Sequence, residues 1–248
     1  MKYTYLLIDL LSVLVPFLFS FHPKFKFYRQ WNALFPAMFI SAALFIPFDI
    51  YFTYLRVWGF NPSYVSGYYI SNLPVEELFF FFCIPYSCLF TYHCLGDLFN
   101  KDIPLKAVNI FTGILIGFCF LMVVVFHTHA YTFFAFALTG VLLFVTQFVI
   151  KIKRIIKFYY TYAILLLPFL IVNGLLTGTG LKAPIVWYNN AENMNLRILT
   201  IPIEDVFYGM SLVLLNLLIF NYYSAKFCND NISRQVVKYS KNSNNKSE

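Results

Sequence analysis

Charge is scarce in this chain. Only 12% of its 248 residues are charged while 60% are apolar, and soluble domains carry roughly a quarter charged residues. That balance excludes a water-soluble globule, which has no interior large enough to hide so much apolar surface. Five cysteines, Cys83, Cys88, Cys94, Cys119 and Cys228, show no Cys-x-x-Cys spacing; this excludes a dithiol or zinc-ribbon reading and leaves them as small packing residues. The one glycine-rich stretch, Gly174 to Gly180, ends an apolar run instead of joining a strand to a helix, so no nucleotide-phosphate loop, flavin site or nicotinamide site is expected. The last apolar run has no lysine for a retinal Schiff base, and the paired aspartate motifs that hold magnesium and a diphosphate are missing. His127 and His129 flank Thr128, but no second ligand cluster accompanies them, so no metal site is expected.

What is present is a series of long apolar runs. They cover Tyr3–Phe21, Trp31–Thr53, Pro74–Leu95, Ala107–Phe126, Tyr131–Ile150, Phe158–Leu176 and Ile201–Tyr223, each near the roughly 18 to 20 residues that a helix needs to cross a bilayer. The first is read as a retained helix, because no small-x-small cleavage site follows it and Asp9 and Pro16 interrupt it. The fold class expected is therefore all-α, a polytopic membrane protein of seven spans. Its net charge of +7 points to a bilayer and not to nucleic acid, because the basic residues alternate by loop. Lys24, Lys26, Arg29, Lys101, Lys106, Lys151, Lys153, Arg154, Lys157 and the tail's Lys226, Arg234, Lys238, Lys241 and Lys246 share one side. Lys2, Arg56, Lys182 and Arg197 fall on the other. Positive loops remain cytoplasmic, so the N-terminus is expected outside and the C-terminus inside.

The sequence also repeats. Tyr3-Thr4-Tyr5 returns as Tyr131-Thr132-Phe133, and Pro74-Val75-Glu76-Glu77-Leu78-Phe79 returns as Pro202-Ile203-Glu204-Asp205-Val206-Phe207, both 128 residues on; Ile46-Pro47-Phe48 matches Leu167-Pro168-Phe169 at an offset of 121. The expected units are residues 1–95 and 131–224, each of three helices, joined by a connector with helix four at 96–130. An even number of helices separates the copies, so they point the same way through the membrane. Residues 225–248, rich in Asn, Ser and Lys, read as a disordered cytoplasmic tail.

Acidic residues carry the functional signal. Asp9, Asp49, Glu76, Glu77, Glu204 and Asp205 lie in or at the rim of apolar runs, all toward the outer helix ends. Carboxyl groups at such depth usually face a cavity or a partner. Proline before paired acids suits a helix start, yet helix chemistry alone does not call for two acids together, twice. Adjacent helical residues point about 100° apart, so one acid of each pair is placed to face a cavity while its neighbour holds a loop. Two carboxyls in a poorly hydrated site do not both ionise easily, which gives a general acid beside a general base. Aromatic residues make up 21% of the chain; most serve packing or the interfacial belt, and a minority are available to stabilise a carbocation with their ring faces.

At Pro74-Val75-Glu76-Glu77 and Pro202-Ile203-Glu204-Asp205 the chain resembles the membrane-integral lycopene cyclases of bacteria, archaea and fungi, in the form where two three-span units are fused. The likeness extends to about Tyr223 and includes Pro47-Phe48-Asp49 and the Asn173 that follows Pro168-Phe169. The resemblance implies a cofactor-free, redox-neutral cyclisation of lycopene, or a related acyclic carotenoid, to β-type rings. A carboxylic acid protonates the terminal double bond, the neighbouring alkene closes on the cation, and a carboxylate removes a ring-adjacent proton. On this reading Glu76 and Glu204 lead as acid and base, Glu77 and Asp205 are their partners, and Asp49 is a secondary member. Asn173, Trp58 and Trp187 are candidate substrate contacts, the two tryptophans as lid residues or belt anchors. The bilayer, most simply a bacterial cytoplasmic membrane, is the other expected partner; oligomeric state stays open. Two readings compete: a solute or proton-coupled transporter of the same three-plus-one-plus-three plan, and a hydratase in which water traps the cation.

Overall fold

A computed structural model describes residues 2–95, 104–152 and 155–244, with side chains followed to 228. It is an all-α membrane fold of seven helices: α1 (Thr4–Phe19), α2 (Trp31–Tyr54), α3 (Val75–Cys94), α4 (Leu105–Val125), α5 (Ala130–Phe144), α6 (Ile155–Leu176) and α7 (Ile203–Asn244). Among the described residues, six segments are long and apolar enough to cross a membrane. The exception is α1, at 16 residues or roughly 24 Å. It nonetheless covers the depth of the bundle, because it runs parallel to α3. Tyr5 meets Glu77 near the start of α3, the Ser87 hydroxyl donates to the Ser12 carbonyl, and Ser20 Oγ lies 2.6 Å from the Tyr86 hydroxyl.

Helix edges fall within a few residues of the apolar runs, with one departure. The tail expected to be disordered from residue 225 instead continues α7 as far as Asn244. Extending a helix that already exists costs little, since each added residue gains one backbone bond without a new nucleus. The basic side chains that the structure describes between α1 and α2 and between α5 and α6 gather at the end of the bundle opposite the acids; Lys101, Lys153, Arg154 and Lys246, counted with them in the sequence, lie outside the described residues.

Short strands roof the acid-bearing end. β1 (Trp58–Phe60) pairs antiparallel with β4 (Val186–Tyr188), while β2 (Tyr69–Ile70) with β3 (Leu73–Pro74) and β5 (Arg197–Ile198) with β6 (Ile201–Pro202) form hairpins that lead into α3 and α7. Contacts here recur at a constant spacing of 128 residues. The Val75 N–H donates to the Tyr68 carbonyl as that of Ile203 does to Leu196, and Asn61 donates to Ile185 as Asn189 does to Val57. Ser71 and Leu199 both adopt a left-handed φ of 58°. The β1–β4 ladder pairs Trp58 with Tyr188, Gly59 with Trp187 and Phe60 with Val186, a register that maps onto itself under the same spacing. A pseudo-twofold axis therefore passes through the Gly59–Trp187 pair. The Trp187 indole lies across Gly59, where an added Cβ would come within 2.4 Å of it, so this crossing needs glycine.

The two triplets do not pack alike. α2 lies along α7, but α6, its counterpart by order, makes far fewer contacts with α3. The space on the α2 side is filled by rings: Phe45 against Tyr208 at 5.3 Å between centroids, Phe48 against Phe134 at 4.6 Å, and Phe52 against Phe134 at 5.0 Å. On the α6 side the space is open. α4 packs on α5, where Cys119 is fully buried with its Cβ against Gly140.

Candidate active site

The open space is a cavity of about 330 Å³ between α1, α3, α6 and α7, within the size range of small-molecule sites. On α3 its wall runs from Glu77 to Thr91, roughly 21 Å of helix. Prolines and large apolar residues line its length, and carboxyl groups stand only at the roofed end: Asp49, Glu77 and Asp205.

Which acid of each pair faces this cavity differs from the order expected from the sequence. Glu76 and Glu204, the leading candidates there, are fully buried and turn away from it. Glu76 Oε1 accepts the Ser66 backbone N–H at 2.6 Å, and Glu204 Oε1 accepts the Met194 N–H at 2.7 Å and the Thr132 hydroxyl at 2.6 Å. Each thus pins the roof loop that precedes its own helix. The neighbour, about 100° around the helix, points inward. Asp9, also fully buried, stands beside Glu76 outside the cavity lining, and among the described residues neither of its carboxyl oxygens has a hydrogen-bond partner.

The two inward acids are held differently. Glu77 accepts a hydrogen bond from Tyr5 and lies in hydrogen-bonding contact with Asp49. Asp49 in turn accepts the Trp58 indole N–H at 2.6 Å, while among the described residues its Oδ2 meets no N–H or hydroxyl. Two carboxyls brought together in a poorly hydrated site do not both ionise easily. Asp205 has no acid partner of that kind. It accepts from the Tyr131 hydroxyl, from the Tyr188 hydroxyl at 3.0 Å and from Asn173 Nδ2 at 3.4 Å. Donors on both oxygens suit a carboxylate, which only accepts. Burial, then the charge of Asp205, keep the Tyr188 phenol well above its ordinary pKa, so it remains a donor.

Strand alternation decides the tryptophans. Trp58, Phe60, Val186 and Tyr188 line the cavity, while Gly59 and Trp187 are on the other face of the ribbon. Trp187, expected as a substrate contact, is 39% exposed and away from the cavity. Sequence reasoning gave no site role to Tyr5, Tyr131, Tyr188 or Tyr208, and it paired Tyr5 with Phe133. The structure matches Tyr5 with Tyr131, 126 residues on. Each is the second residue of its helix, each donates to the inward acid, and each stacks at 21° on a ribbon residue, Phe60 or Tyr188. The tyrosine-threonine repeat was the available signal, read two residues out of phase. Asn173 does contact an acid, Asp205, but at the offset of 121 the position matching Asp49 is Leu170 and Asn173 matches Phe52.

Residues 2–95 and 127–223 match the family model described as lycopene cyclase. The chain belongs to the lycopene cyclase family. It is similar to the "Bifunctional lycopene cyclase/phytoene synthase" of Aspergillus oryzae (strain ATCC 42149 / RIB 40), 27% identical over 120 residues that cover 44% of this chain and 20% of that protein. The chain thus spans about a fifth of the length of that relative. No solved structure matches it. The two matched segments of the cyclase model coincide with the triplets α1–α3 and α5–α7, and leave α4 between them.

Proposed function

We propose that this protein cyclises the ends of lycopene, or of a related acyclic carotenoid, to β-type rings, with residues 1–95 and 131–224 as its two working halves and α4 as their connector. The observation that carries this reading is one apolar cavity that receives a differently held carboxyl centre from each half. A polyene end group fits the apolar trunk of the cavity, and its terminal double bond reaches the roofed end.

There Glu77, sharing a proton with Asp49, delivers it to the terminal alkene. The O–H bond breaks as the C–H bond forms, and the cation is attacked by the next alkene to close the ring. Asp205, held as an acceptor by Tyr131, Tyr188 and Asn173, then removes a ring-adjacent proton. One proton enters and one leaves, so the product is an isomer and the carbon skeleton undergoes no net redox change. Trp58, Phe60, Tyr131 and Tyr188 present rings around this end, and ring faces stabilise the passing positive charge. The apolar walls keep water from capturing it. Glu76 and Glu204 act at one remove, by fixing the roof.

Expression in lycopene-accumulating cells tests this. Wild-type protein is expected to shift the pigment to monocyclic or bicyclic carotenes. Glu77→Gln and Asp205→Asn are each expected to lower ring formation by about 100-fold or more, the usual scale for a lost acid or base. Ring formation that persists in both variants would sink the assignment.

A further inference from the structure

Placing the acid in one half and the base in the other leaves a proton stranded after every ring. Glu77 has lost one and Asp205 has gained one, so the site must be restored before it works again. Tyr208 lines the cavity that both of them face. Its ring packs edge-on against Trp58 at 6.3 Å and against Tyr131 at 6.1 Å, and these two side chains donate to Asp49 and Asp205 respectively. It lines the same cavity as all three carboxyls and lies within the electrostatic reach of each.

Among the described residues its hydroxyl has no hydrogen-bond partner, unlike Tyr5, Tyr131 and Tyr188, whose protons are already committed to carboxyls. The hydroxyl is also a feature of one half only, for the residue 128 positions earlier is Phe80. Packing does not call for an oxygen there, since a phenylalanine fills the matching place. An uncommitted hydroxyl sharing a cavity with a spent acid and a loaded base has both the donor and the acceptor that a transfer from one to the other requires.

We propose that Tyr208 is a relay residue that returns the proton from Asp205 to the Glu77–Asp49 pair after each cyclisation. The Tyr208 O–H bond breaks toward the Glu77–Asp49 carboxylates as the Asp205 proton bonds to the phenol oxygen, directly or through one water on either side. Tyr208 ends as it began, and no oxidant, reductant or solvent proton is consumed. This inference rests on the acid and base assignment above and adds the step that makes it repeatable.

The test uses the full chain in lipid vesicles, mixed rapidly with lycopene, in ordinary and in heavy water. In Tyr208→Phe the first ring per protein is expected at close to the wild-type rate, followed by a steady rate at least about tenfold lower. In heavy water over many turnovers, wild-type product is expected to carry clearly less than one deuterium per ring, because the substrate's own proton is handed back. Product from Tyr208→Phe should carry a full one.

A full deuterium per ring in the wild type would overturn the relay, whatever the variant does. So would an unchanged steady rate in Tyr208→Phe, or loss of its first turnover. Were the acid and base assignment itself wrong, Glu77→Gln and Asp205→Asn would keep their activity; with only the relay wrong, those two stay dead while the isotope content shows no return.

Discussion

The two triplets of helices carry nearly the same motif and enclose opposite things. Between α2, α3, α5 and α7 the space is packed with rings, and between α6, α1, α7 and α3 it is hollow. A few positions account for much of this. Phe81, 1% exposed in the filled half, is matched 128 residues on by Gly209, which lines the cavity; Phe52 is matched at the offset of 121 by Asn173, and Phe134 at 126 by Ile8. The duplicated frame thus yields two sockets, and side-chain volume plugs one of them. On the function proposed above, this cavity takes one end group at a time, and a substrate with two ends would have to turn around or rebind.

That contrast is open to attack, and the largest effect is expected from filling the hollow. Gly209→Phe should occupy the cavity as Phe81 occupies its counterpart and lower ring formation by about 100-fold or more, the loss expected when reacting groups are kept apart. Gly209→Ala, whose Cβ meets only ordinary contacts of 3.4 Å and beyond with Tyr162 and Phe169, should remain active. Pigment analysis of the pair separates blockage from misfolding. Conversely, Phe81→Ala should cost about 3 to 5 kcal/mol of stability, as truncations of buried aromatics do, read as a lowered unfolding midpoint in detergent.

Next comes the roof. Glu76→Gln and Glu204→Gln keep an acceptor for the Ser66 and Met194 amides but put an amide NH2 in place of one buried carboxyl oxygen; each should reduce stability by about 1 to 2 kcal/mol while leaving far more activity than Glu77→Gln. Equal inactivation of inward and outward variants would erase the distinction between them. Tyr188→Phe converts the second half to the residue found at Phe60 in the first. It removes one donor from Asp205 and should slow ring formation about tenfold or more, on the basis of about 1.5 to 3 kcal/mol for a hydrogen bond to a charged group. The smallest effect belongs to the hairpins: Leu199→Gly relieves a left-handed backbone at a side-chain-bearing residue and should raise stability by about 1 kcal/mol, whereas Ser71, a small polar residue with the same φ, should gain less.

Much of this architecture was readable in the linear chain. Apolar runs of membrane length have little use in a soluble core, so the seven helices followed from composition, with the far end of α7 the edge that did not, and the doubled Pro-x-acid-acid motif located the end of the bundle where buried carboxyls gather. What stayed hidden depended on phase. Glu76 and Glu77 are neighbours in sequence but point about 100° apart, and only the packing of α3 against α1 and α6 decides which one looks inward. Trp58 and Trp187 are both single tryptophans in long loops, and a strand register that no local signal announces puts one in the chamber and the other outside it. The meaning of Gly209 was equally silent, because a glycine in a membrane helix is unremarkable until it is laid over Phe81. The tyrosines were passed over for a chemical reason: in a chain with 19 of them, composition offers no means to tell a carboxylate's partner from an interfacial anchor.

The ribbon over the chamber has one strand from each triplet, and its midpoint is the contact between Gly59 and Trp187. Neither triplet therefore owns a finished ceiling. If the chain were cut between the triplets, each fragment would expose an unpaired strand whose complement exists on the other fragment, and the clasp itself would guide their reunion.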